Sequence, residues 1–128
     1  MGTWKLNEAK SKVDPAMGKN DTVIYAAEGE NIKITVDGSE PDGKPRHTEW
    51  IGKWDAKDYP VTGDLTADSR SYQIVNDHTL SMINKKAGKE SSTGTVEVSA
   101  DGKTRTVRLS ATDSTGKKLE TVAVYDKQ

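Results

Sequence analysis

The chain has 128 residues, carries 19 Lys and Arg against 20 Asp and Glu for a formal net charge of −1, and contains no Cys. One domain spanning residues 1–128 is implied, with no global field to draw nucleic acid or an anionic membrane, and disulfides, thiolate chemistry and Cys-ligated metals are excluded together. Hydrophobic residues make up 32% and aromatics 5%, Phe is missing entirely, and no apolar stretch is long enough to span a bilayer, so a soluble chain is expected.

Gly2-Thr3-Trp4-Lys5-Leu6 reads as a first strand, with Trp4 and Leu6 on one face and Thr3 and Lys5 on the other. The stretch from Asn7 to Asn20 holds Pro15 and Gly18 and no sustained helical stripe, so at most a short helical turn fits there. Thr22 to Ala27, then Glu28-Gly29-Glu30, then the strictly alternating Asn31 to Val36 stopped by Asp37-Gly38 predict a hairpin. Pro41, Gly43 and Pro45 mark a loop before a strand from about Arg46 to Trp54, which puts Trp50 and Trp54 on one face. A short piece around Tyr59 to Thr62 and the loop Gly63 to Asp68 follow. The strand Ser71 to Val75, stopped by Asn76-Asp77, points Tyr72 and Ile74 together, and Thr79 to Asn84 sets Leu80 and Met82 on one face.

The last third of the chain keeps a beat. Gly88-Lys89, Gly102-Lys103 and Gly116-Lys117 recur every fourteen residues, and the runs Thr95–Ser99, Thr106–Ser110 and Thr121–Tyr125 alternate in polarity and are rich in β-branched residues. With no segment long enough for a helical crossover, this predicts an all-β antiparallel up-and-down meander of nine to ten strands without substantial helix. Such a sheet must pack on a second sheet or curl until it closes into a barrel. Closure makes a cup, and thin apolar filling suits a wet cavity better than a dry two-sided core.

The residues expected to line that cavity are Trp50, Trp54, Tyr72 and Tyr125, because such rings combine apolar area with a polar tip; filling of the core by the same rings is the competing reading. Tyr25 is added to them, although its strand places Ile24 on the opposite face. Arg70 shares a face with Tyr72 and Ile74, and Arg105 with Val107 and Leu109. An inward arginine implies a carboxylate, a bound anion or ordered water, whereas the simpler reading lets both snorkel to solvent at the rim. His47 and Glu49 lie two apart on one strand, as an imidazole base and its orienting carboxylate would, but on the face opposite the tryptophans, where they form an exposed polar pair. His78 falls in a turn, and two scattered His give no metal site. Asp64 and Asp68 fit no recognised calcium loop, and no nucleophile elbow is present, so neither a metal nor a catalytic residue is assigned.

The Gly2-Thr3-Trp4-Lys5-Leu6 opening resembles the Gly-x-Trp signature on the first strand of the calycins, the lipocalins and intracellular fatty-acid-binding proteins. In them the Trp closes the bottom of the barrel, and the resemblance gives Trp4 that place. Val122 to Lys127 resembles the last strand of fatty-acid-binding proteins, which closes against the first and carries an Arg-x-Tyr pair on the ligand carboxylate; here Tyr125 matches and Ala123 stands where the Arg would be. The helical lid of those proteins also needs more residues than lie between Leu6 and Thr22. In length and layout the chain is more similar to the bacterial lipocalin-like domains, small barrels that are exported to the periplasm or secreted. No signal-peptide pattern precedes the first strand, a start that removal of a leader would leave.

The resemblance implies binding of a small apolar or amphipathic molecule in the cavity; no cofactor is assigned, the charge balance speaks against a nucleic-acid partner, and the oligomeric state is left open. The alternative is an enzyme that uses the cup as a reaction chamber. The missing Phe has no physical explanation and is the kind of gap that redesign of a natural chain leaves, in which case an engineered activity is the form that alternative takes.

Overall fold

The computed structural model describes residues 2–64, 67–112 and 115–128. Ten strands run in chain order: β1 (Gly2–Leu6), β2 (Lys19–Glu28), β3 (Asn31–Ser39), β4 (Pro45–Gly52), β5 (Tyr59–Thr62), β6 (Ser69–Asn76), β7 (Thr79–Lys86), β8 (Lys89–Val98), β9 (Thr104–Thr112) and β10 (Lys118–Lys127). Each pairs antiparallel with the next, and β1 pairs with β10, so the meander closes into a barrel rather than folding into two layers. Two short 3-10 turns, Glu8–Lys10 and Pro15–Met17, fill the connection from β1 to β2. Among the described residues no helix is long and apolar enough to cross a membrane.

The fourteen-residue beat is strand plus turn. Gly88, Gly102 and Gly116 have φ of 80°, 72° and 88°, the left-handed region that glycine enters without steric cost, and each reverses the chain between two long strands. Alternation then decides facing. Val23, Ile34, Val36, Trp50, Tyr72, Met82, Val96, Val107, Ala123 and Tyr125 are buried inside, while Ile24 and Ile51, one residue out of phase, face solvent.

One strand is shorter than its alternation predicts. β4 stops at Gly52, the last residue in register with β3, opposite Ile32. A Cβ there would lie 2.5 Å from Tyr59 Cγ and 2.6 Å from Trp50 Cζ2, so a bare backbone is what lets the two rings meet. Trp54 consequently lies beyond the strand and reaches the interior from the β4–β5 connection.

The wall is unevenly stitched. β9 and β10 pair continuously from Thr112 opposite Lys118 to Thr104 opposite Asp126. β5 is in register with β4 at Val61 and Thr62 and with β6 at Tyr59 and Pro60, with one further bond from the Val61 amide to the Asp68 carbonyl at 3.1 Å, and Pro60 has no amide hydrogen to donate. The antiparallel order also sorts the connections. One rim carries both chain ends and the β2–β3, β4–β5, β6–β7 and β8–β9 turns, and the opposite rim carries the remaining five connections.

Candidate functional site

Aromatic rings build one wall of the interior. Trp50 is 1% exposed, and its indole Nε1 donates to the Arg70 carbonyl oxygen at 2.9 Å, which satisfies the ring's only polar atom. Trp54 stacks on it with centroids 5.6 Å apart and planes 8° from parallel. Tyr72 meets Trp50 and Trp54 edge-on at 4.8 and 5.1 Å, and Tyr59 meets Trp50 edge-on at 5.7 Å. Tyr25 stands 6.5 Å from Trp54. Offset and edge-on geometries place the positive ring edges against negative faces and lock the indoles in one arrangement.

At the rim with the chain ends this wall borders a hollow of about 530 Å³, lined among others by Trp4, Tyr25, Trp54, Ile74, Leu80 and Arg105. Of the seven residues expected to face a cavity, Tyr25, Trp54 and Arg105 do so here. Trp50, Tyr72, Tyr125 and Arg70 are buried behind it and belong to the packed middle of the barrel. Trp4, Ile74 and Leu80 are wall residues that composition alone did not single out, though each sits in phase with an inward neighbour on its own strand. A second hollow, about 590 Å³, lies at the opposite rim between Met17, Ser92, Ala111 and Leu119.

Both arginines point inward, so the snorkelling reading is overturned for each. Arg70 is 9% exposed and is compensated: Nε donates to Asn84 Oδ1, Nη2 lies 3.4 Å from Asp64 Oδ2, and Asn84 Nδ2 in turn donates to Ser92 Oγ at 2.8 Å. Arg105 is 5% exposed and differs. Its Nη2 donates to the Tyr25 hydroxyl, and its Cζ lies 4.7 Å from the Tyr25 ring centre and 5.2 Å from that of Tyr125. Nε and Nη1 are buried without a hydrogen-bond partner among the described residues. Burial pushes the Tyr25 and Tyr125 phenols up to about 12, against the opposing pull of Arg105, so both stay protonated near neutral pH and offer dipoles rather than negative charge. The Tyr125 hydroxyl donates to the Asn20 carbonyl at 3.0 Å.

Of the polar groups weighed for acid–base or metal chemistry, only His78 borders the hollow of about 530 Å³, beside Asp77. His47 is more than half exposed on the outer face, with Nδ1 2.6 Å from Asp37 Oδ1 and Nε2 3.7 Å from Glu49 Oε2. Its nearer partner is the residue directly across the β3–β4 ladder, which reading along one strand does not reveal. The hydrogen bond to Asp37 raises the imidazole above its ordinary range. His78 sits exposed in the β6–β7 turn, where its amide donates to Asn76 Oδ1 at 2.9 Å. Asp64 faces Arg70, while Asp68 Oδ2 accepts from the Ala87 amide at 3.0 Å; Leu65 and Thr66 between them lie outside the described residues.

Compared with models of known protein families and with curated proteins, the chain matches none of either.

Proposed function

We propose that this chain is a lipocalin-like relative of the calycins whose barrel binds a small apolar or amphipathic molecule at the rim that carries the chain ends. The observation that carries the reading is the hollow of about 530 Å³ there, a size ordinary for small-molecule sites, walled by indole, phenol and aliphatic side chains and by Arg105, with the polar Asn76, Asp77, His78 and Thr79 also lining it. Closure of β1 on β10 supports the relationship to the calycins, while Trp4, expected to close its end of the barrel, instead lines the hollow at that rim. The form of turnover that uses His47 and Glu49 or an inward phenol loses its geometry, because His47 faces solvent and the buried phenols keep their protons; the imidazole and carboxylate that line the hollow are those of His78 and Asp77, in the exposed β6–β7 turn.

Titration with a panel of amphipathic molecules, followed by the emission of the three tryptophans, tests the reading. Saturable quenching or a spectral shift is expected, since Trp54 is in the wall and stacks on Trp50. Flat titrations across the panel would remove its basis.

A further inference from the structure

The two rims of the barrel are lined by different chemistry. Indoles and a phenol face the hollow at the rim with the chain ends. The hollow of about 590 Å³ at the opposite rim has no ring in its lining and carries five hydroxyl side chains, Ser91, Ser92, Thr93, Ser110 and Thr112. Ala111, Leu119 and Met17 give it an apolar side. Its two charged residues, Glu90 and Lys118, are of opposite sign, and Lys118 Nζ already lies 3.1 Å from Glu120 Oε1, so no surplus charge marks it for an ion.

A bulge in β8 brings the hydroxyls together. Asn84 stands opposite Ser92 and Lys85 opposite Glu90, which leaves Ser91 as an extra residue, and such an insertion breaks the strict alternation of faces. Two successive serines therefore line one hollow. Ser92 is held by the network that compensates Arg70, since its Oγ accepts from Asn84 Nδ2 at 2.8 Å and Asn84 Oδ1 accepts from Arg70 Nε. Ser91 is not held in this way: its Oγ is shut off from bulk water and has no hydrogen-bond partner among the described residues. Across the hollow, Met17 is fixed at the end of its 3-10 turn by the Thr121 hydroxyl, which donates to the sulfur at 3.3 Å. A hydroxyl left unpaired out of water is costly, and because it both donates and accepts, a second hydroxyl is the group that relieves it in full.

We propose that this hollow is a second binding site, for a small neutral polyhydroxylated molecule, a free sugar or cyclic polyol. The C–H face of its ring lies on Ala111, Leu119 and Met17. Its hydroxyls exchange hydrogen bonds with Ser91, Ser92 and Ser110, and Ser91 meets them by turning about χ1 from one staggered well to another. The site is independent of the apolar guest proposed for the other rim.

myo-Inositol and D-glucose are titrated into the nitrogen-labelled full chain, with cyclohexanol as a six-membered ring that carries a single hydroxyl, and the backbone amides are followed by NMR. At least one of the two polyols is expected to shift the amides of Ser91, Ser92, Ala111 and Leu119 saturably. Cyclohexanol is expected to bind there at least about tenfold more weakly, the net worth of one or two hydrogen bonds. Ser91→Ala is expected to weaken the polyol by about 3- to 10-fold. It should also leave the ligand-free melting temperature level or higher, because the hydroxyl it removes has no partner, whereas a hydroxyl kept for the fold would lower it.

Cyclohexanol binding as tightly as the polyols would make this an apolar hollow and overturns the proposal. So do shifts that fail to saturate, shifts confined to Trp54 and Leu80 at the other rim, and a lower melting temperature of Ser91→Ala with polyol affinity unchanged. If neither polyol moves these amides, the hollow holds water alone and the proposal falls, while the reading of the other rim is untouched.

Discussion

Tyr25 and Tyr125 flank the Arg105 guanidinium, and burial raises both phenols to about 12 from an ordinary value of 10.0. A group whose folded pKa lies above its unfolded one adds stability that is whole below the unfolded value and is lost as the pH climbs through the folded one. The unfolding free energy from urea titration is therefore expected to be insensitive to these two residues up to about pH 10 and to fall between about pH 10 and 12, by an amount on the order of a few kcal/mol for the pair. Tyrosinate absorbance checks it: Tyr25 and Tyr125 should ionise late, and Tyr25→Phe should remove part of the late step. A single step at the ordinary phenol value would contradict the burial argument. The inward facing of Arg70 and Arg105 was legible from alternation on their strands. Which of them has a carboxylate was not, because Asp64 reaches Arg70 from a loop and such a contact leaves no periodic trace. The same holds for His47, whose closer partner Asp37 stands across the ladder rather than beside it in sequence.

The elements differ in how well each is held. β5 has four residues, one of them proline, and two register positions on each side, whereas β10 has ten residues in a continuous ladder. Few backbone hydrogen bonds and a proline lower the local cost of opening. Native-state hydrogen exchange is expected to show the Val61 and Thr62 amides exchanging at least about tenfold faster than the paired amides of Val107 and Ala123; comparable protection would show that side-chain packing, not the ladder, sets local stability. At this scale the strands were readable wherever period-two alternation met a glycine turn, as at Gly88, Gly102 and Gly116. Alternation alone carried the fourth strand two residues too far, to Trp54, since Gly52 keeps the phase while the close approach of Tyr59 and Trp50 ends the ladder.

For the molecule as a whole, β1 is the strand that joins the ends of the meander, pairing with β2 on one side and β10 on the other. Trp4, 6% exposed at that junction, is its principal apolar anchor. Trp4→Ala is expected to lower stability by about 3–5 kcal/mol, the range for removing a large buried ring, in urea unfolding followed by the emission of Trp50 and Trp54. A loss below about 1 kcal/mol would mean that the barrel closes without it. Alternation specified which face each strand buries but could not choose between barrel and sandwich, because that choice depends on a pairing between residues near opposite ends of the chain. Only the two terminal segments, Trp4 and Tyr125 among them, carried a sign of it.

The most deeply enclosed side chains, Ile34 and Trp50, line neither of the two rim hollows. The barrel is thus hollowed at both rims, and the two hollows share no lining residue, so a substitution in the lining of one leaves that of the other as it was.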